Sequence, residues 1–90
     1  MPEFLLEVYV SRTDPDAVTA GARNARRAAD ELRREGTQVR YLRSIFVPED
    51  ETCFYLYEAA LAEHVGDAAR RADIPFERIS EAIDGAGRDI

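Results

Sequence analysis

One grammar runs through this chain twice: an extended, alternating run gives way to an alanine-bearing helical stretch, and a second extended run follows. The second statement, over residues 51–83, leads from the dense aromatic stretch TCFYLYE into AALAEHVGDAARRAD and out through Ile74-Pro75-Phe76. The first opens with an extended segment over residues 3–11, which places Phe4, Leu6, Val8 and Val10 on one face and Leu5, Glu7 and Tyr9 on the other. Asp14-Pro15-Asp16 then predicts a helix start. Asp14 suits an N-cap that accepts backbone N–H bonds, Pro15 the first helical position, and Asp16 the positive end of the dipole. Val18, Ala22, Ala25, Ala29 and Leu32 recur at steps of four and three, making an apolar stripe, while Arg33, Arg34 and Gly36 supply the expected stop.

A second strand is expected over residues 39–47, a charged connection over 48–51 and a third strand over 52–58, the two strands forming a hairpin. The second helix is read over residues 60–73, with Leu61, Val65, Ala68, Ala69 and Ala72 on one side and Pro75 as its stop. Gly66 in its middle costs about 1 kcal/mol. A short last strand covers residues 78–83. The order βαββαβ is the split βαβ pattern of an α+β, ferredoxin-like fold: a four-stranded antiparallel sheet in the order 4-1-3-2 with two helices on one face. Strands one and three are apolar on both faces, as central strands are, whereas Arg40, Arg43, Arg78 and Glu81 mark the other two as edges. One domain over residues 1–84 with a frayed tail over 85–90 is the resulting division.

Ninety residues suffice for one core and leave little stability in reserve, so pairing of two copies through a sheet face, a homodimer, is a reasonable expectation. With 12 basic and 18 acidic residues the net charge is −6, which repels phosphate backbones and argues against nucleic acid as a partner. The single cysteine, Cys53, forbids a disulfide within the chain. The start MPEFLLEVYV lacks the basic and apolar regions of a secretion signal, and no apolar run approaches the roughly 18 residues that span a bilayer. The chain reads as cytoplasmic, without a membrane partner.

Because both helices must cover one side of the sheet, the other side is left bare, and regular alternation puts Glu7, Tyr9, Tyr41, Arg43, Cys53, Tyr55 and Tyr57 there. Two compatible readings follow. A second subunit covers this aromatic face, or the phenols together with Glu7 and Arg43 line a ligand-binding cleft at Glu7, Tyr9, Tyr41, Arg43, Tyr55 and Tyr57. Glu7 and Arg43 also have a purely structural role open to them as a cross-strand ion pair. Cys53 and His64 are the candidate metal ligands, each with a passive alternative: a half-buried thiol without a basic neighbour in sequence, and a surface histidine beside the helix stripe. One Cys and one His per chain fall short of the four protein ligands of a closed zinc site unless two subunits share it. No G-x-G-x-x-G, Walker loop, G-x-S-x-G, C-x-x-C or H-E-x-x-H motif occurs. The loop SRTDPD does not cradle an acyl phosphate, and FYLYEA lacks the basic signature of RNA-stacking sheets.

Glu7, Tyr41-Leu42-Arg43-Ser44, Tyr57-Glu58-Ala59, Ala69-Arg70-Arg71-Ala72 and Ile74-Pro75-Phe76-Glu77-Arg78-Ile79 together resemble a family of small actinobacterial ferredoxin-like proteins of unknown function that includes a nickel-binding protein. The resemblance covers residues 3–83 and implies a βαββαβ dimer and, for at least one member, nickel binding, which makes nickel the candidate cofactor; it does not imply an enzyme. In that pattern a cysteine stands where this chain carries Tyr55, and a histidine of the second helix stands where it carries Ala68. The leading expectation is therefore a cytoplasmic homodimeric binding protein that holds a divalent metal such as nickel, or a small ligand, at the open sheet face. Two alternatives stand beside it: a small dimeric enzyme in which Arg43 orients a substrate, Glu7 exchanges a proton and Tyr57 donates a hydrogen bond, and a pure protein-interaction module.

Overall fold

The computed structural model describes residues 1–83 and 85; the expected tail over 85–90 lies, Gly85 apart, outside the described residues. The elements follow in the order β1 (Glu3–Tyr9), α1 (Asp16–Arg34), β2 (Val39–Val47), a 3-10 turn (Pro48–Asp50), β3 (Thr52–Ala59), α2 (Ala62–Arg71) and β4 (Arg78–Ala82). All pairings are antiparallel, and the sheet order is β2-β3-β1-β4, which is the expected 4-1-3-2 read from the other edge.

The helix ends show which local signals prevail. Pro15, not Asp14, occupies the N-cap of α1 and no side chain caps it; Asp14 contributes its carbonyl instead, accepting from the Ala17 N–H at 3.1 Å. Gly36 closes α1 as expected. At φ +99 it takes the left-handed conformation, the Thr37 N–H returns to the Leu32 carbonyl at 2.9 Å, and the Gly36 N–H to Arg33 at 3.0 Å. The same device ends α2 one turn before Pro75: Asp73 sits at φ +58, its N–H bonds to the Arg70 carbonyl, and the Ile74 N–H bonds to Ala69 at 2.9 Å. At its other end α2 starts two residues later than the apolar stripe suggests. The Ala60 N–H is engaged by the Gln38 carbonyl at 3.1 Å, and Leu61 is extended.

Alternation in β1 sends Phe4, Leu6, Val8 and, just beyond the strand, Val10 into the core, as expected. Directly opposite them on β3 stand Tyr57, Tyr55 and Cys53. Residues opposite one another in an antiparallel pair share a face, so these three lie under the helices, against Ala25, Ala28, Ala29 and Leu32 of α1 and Val65, Ala68 and Ala69 of α2. This corrects the expected register of β3. Tyr41 is corrected with it. It pairs with Tyr57 and is 7% exposed, because a bulge between Tyr41 and Arg43 lets Leu42 fall out of the ladder and turns Arg40 and Arg43 to the same side. The open face accordingly carries Leu5, Glu7 and Tyr9 from β1, Arg43 and Ile45 from β2, Phe54 and Leu56 from β3, and Arg78 from β4. Among the described residues no helix is long and apolar enough to cross a membrane.

Candidate functional site

The tyrosines form a packed cluster rather than an exposed platform. Tyr41 meets Tyr55 edge-on with ring centroids 6.2 Å apart and Tyr57 with centroids 5.7 Å apart, while the Arg26 guanidinium of α1 lies 5.2 Å from the Tyr41 ring centre. Burial holds the phenols neutral, pushing the pKa of both Tyr55 and Tyr57 well above the ordinary tyrosine value. The Tyr57 hydroxyl is buried without a hydrogen-bond partner among the described residues. Desolvation also raises the Cys53 thiol to about 11, against a smaller opposing effect of hydrogen bonding with Tyr55. A thiol held protonated in this way is a poor nucleophile and a poor metal ligand.

Of the expected site residues, Glu7, Tyr9 and Arg43 remain on the open face, and they do not converge. Glu7 pairs with Arg78, Oε1 to Nε 3.5 Å, rather than with Arg43. Arg43 stands opposite Leu56, and Leu56 opposite Leu5, so Arg43 is one residue row and two strands away from Glu7. Tyr57 points to the other side of the sheet from both, and the arrangement that would let these three act on one substrate is absent. The structure instead joins Arg40 and Glu58 across the sheet at 3.9 Å, a pairing that the bulge makes available.

At the Tyr9 end of the open face a cavity of about 350 Å³ is lined by Glu7, Asp50, Glu51 and Glu77. Glu51 is held by Arg12, whose backbone N–H donates to its Oε2 at 3.0 Å and whose Nε lies 3.8 Å away. Despite this acidity, no group of three or more His, Cys, Asp or Glu side chains among the described residues is placed to hold a metal ion. His64 lies in the first turn of α2, with Nδ1 buried and without a partner among the described residues, and Cys53 lies inside the core; the two do not form a ligand set.

Residues 9–82 match the SCO4226-like family, described as nickel responsive protein SCO4226-like. The chain belongs to this family. No curated protein and no solved structure matches it. In this SCO4226-like chain the matched span takes in the tyrosine cluster, Arg43, Cys53 and His64, while Glu7 lies just before it. Tyr55 and Ala68, the two positions where the resemblance implies cysteine and histidine, are 2% and 0% exposed within the sheet-helix layer, so a phenol and a methyl group fill that space. Neither is a soft donor, and nickel favours imidazole and thiolate among softer ligands. The residues present therefore do not fit a nickel ion within one chain.

Proposed function

We propose that this SCO4226-like chain works as a homodimeric binding protein rather than an enzyme, two copies meeting open sheet face to open sheet face. The supporting observation is the make-up of that face. Leu5, Phe54 and Leu56 form its half-buried centre, and Tyr9 and Ile45 are 62% and 44% exposed. Contiguous apolar surface of this kind is costly in water and is relieved by association.

Charge favours a second copy over an unlike partner. The whole chain carries −6, yet the strand residues of the face are balanced, the acidic cavity lying at its Tyr9 end: Glu3, Glu7 and Glu58 are matched by Arg40, Arg43 and Arg78, and two cross-strand ion pairs already join them. A two-fold pairing sets this balanced patch against itself without net repulsion. Binding rather than catalysis is supported by the separation of Glu7, Arg43 and Tyr57. No step is assigned to nickel, because one chain does not gather a donor set for it.

Native mass spectrometry and sedimentation at micromolar concentration test the reading. The wild-type chain is expected to be a dimer, and Phe54→Glu combined with Ile45→Glu to give a folded monomer. A wild-type monomer, or a double variant that still dimerises, overturns the proposal. Calorimetry with nickel on metal-stripped protein, run on both forms, reports whether pairing creates a metal site.

A further inference from the structure

A cleft on the helix side of the molecule opens between α1 and the connection from α2 to β4. It holds about 290 Å³, near the lower end of small-ligand pockets. Ala17, Ala20 and Gly21 form its α1 wall, so the helix presents no bulk there, and Val8 and Ile74 supply apolar surface. The residues with polar side chains that line it are Tyr9, Asn24, Tyr55 and Asp73.

Tyr55 makes this more than a packing gap. The residue is 2% exposed, and its hydroxyl lies where a Cβ of Gly21 would stand, on the wall of the cleft. Cys53 is its hydrogen-bonding neighbour on the same strand. A phenolic hydroxyl on the wall of a cleft, able both to donate and to accept, offers a hydrogen bond to a ligand atom that comes within reach. Among the described residues Asp73 is the only charged one lining the cleft, and no Lys or Arg lines it. Its backbone is pinned by the two hydrogen bonds that end α2, which fixes where the carboxylate is carried.

We propose that this cleft binds a small amine with an apolar body. The ammonium pairs with Asp73, the body lies against Val8 and Ile74, and the Tyr55 hydroxyl hydrogen-bonds to a polar atom of the ligand. A carboxylate or phosphate would face Asp73 with no cation to meet it, on a chain that already carries −6. A neutral molecule of the same shape leaves the charge of Asp73 unused. The site does not depend on pairing through the open sheet face, which lies on the other side of the sheet.

The test is a titration of the isotopically labelled chain, followed by amide nuclear magnetic resonance, with phenethylamine, phenylacetate and 2-phenylethanol as matched probes. Saturable shifts centred on Gly21, Asn24 and Asp73 are expected with the amine at concentrations where the acid and the alcohol give none. Asp73→Asn is expected to weaken amine binding at least tenfold, and because Asn tolerates the left-handed backbone the variant keeps the fold. Ala20→Leu, at an exposed position on the rim, is expected to block the cleft while preserving the spectrum elsewhere. Absence of saturable shifts with the amine, equal shifts with the acid or the alcohol, or an Asp73→Asn chain that binds as tightly as wild type overturns the proposal.

Discussion

Gly21 and Tyr55 occupy each other's space: a Cβ on Gly21 would collide with the Tyr55 hydroxyl and stand 3.1 Å from Cζ of the same ring. The ring therefore sets the residue type in the helix. A long inward side chain at position 55 reaches fully across the sheet-helix layer only because α1 carries no side chain at that point.

Gly21→Ala should accordingly destabilise the protein, although alanine is the better helix former. The gain in helix propensity is about 1 kcal/mol, and overpacking of this kind costs about 1 to 3 kcal/mol. Urea denaturation of Gly21→Ala, Tyr55→Phe and the double variant forms a cycle in which Tyr55→Phe restores most of the loss, since the hydroxyl is the colliding group. Equal losses on both Tyr and Phe backgrounds would place the strain elsewhere.

Tyr57→Phe should be neutral or stabilising, by about 1 kcal/mol, because it removes a buried hydroxyl that has no partner among the described residues. Tyr57→Ala should cost about 3 to 5 kcal/mol, the loss expected when a buried ring leaves a cavity. Denaturant midpoints at constant slope give both values. A Phe variant markedly weaker than wild type would reveal a partner for the hydroxyl.

Cys53 is fully buried, and its thiol is raised from 9.0 to about 11. Ellman's reagent should hardly react with the native chain at mildly alkaline pH and should react at once after unfolding. The linked effect on stability has a definite sign. A raised folded pKa favours the folded state below the unfolded value, and the advantage is lost as pH rises from about 9 through about 11. It amounts to no more than about 2 to 3 kcal/mol. Cys53→Ala should flatten that part of the alkaline profile, and the buried phenols add a further loss at higher pH.

Arg71, the last residue of α2, grips Glu35 just past the end of α1 with two hydrogen bonds, Nη1 to Oε2 at 2.6 Å and Nη2 to Oε1 at 2.9 Å. This contact lowers the Glu35 carboxyl below its ordinary 4.5. Its contribution is present above that value and is lost as pH falls through the lowered one. Arg71→Met should therefore differ from wild type at neutral pH and converge with it on acidification. The pair is exposed, so the difference should also shrink with added salt. A gap that persists in acid would assign the effect to packing of the arginine stem instead.

Strand order, both helices and the inward face of β1 were legible because Glu7 breaks the apolar run and fixes which side is wet. On β3 the alternation is silent in its middle, where Phe54 and Leu56 are as apolar as Tyr55 and Tyr57. The ends of that strand carried the missing signal: Thr52 and Glu58 belong to the set with Phe54 and Leu56, whereas Cys53, Tyr55, Tyr57 and Ala59 include no charge. On β2 the signal was a contradiction. Arg40 and Arg43 stand an odd number of residues apart, so a regular strand must bury one of them, and only an inserted residue frees both. The Glu7–Arg78 pair was hidden for another reason, since it depends on register between strands far apart in sequence. The cleft between α1 and the α2–β4 connection, formed by a gap between elements, leaves no periodic trace at all.

The bulge at Leu42 lies on β2, a strand with one side unpaired within the sheet. An irregular, bent margin is a poor template for another chain's strand. Edge-to-edge growth into ribbons is thereby discouraged at this border.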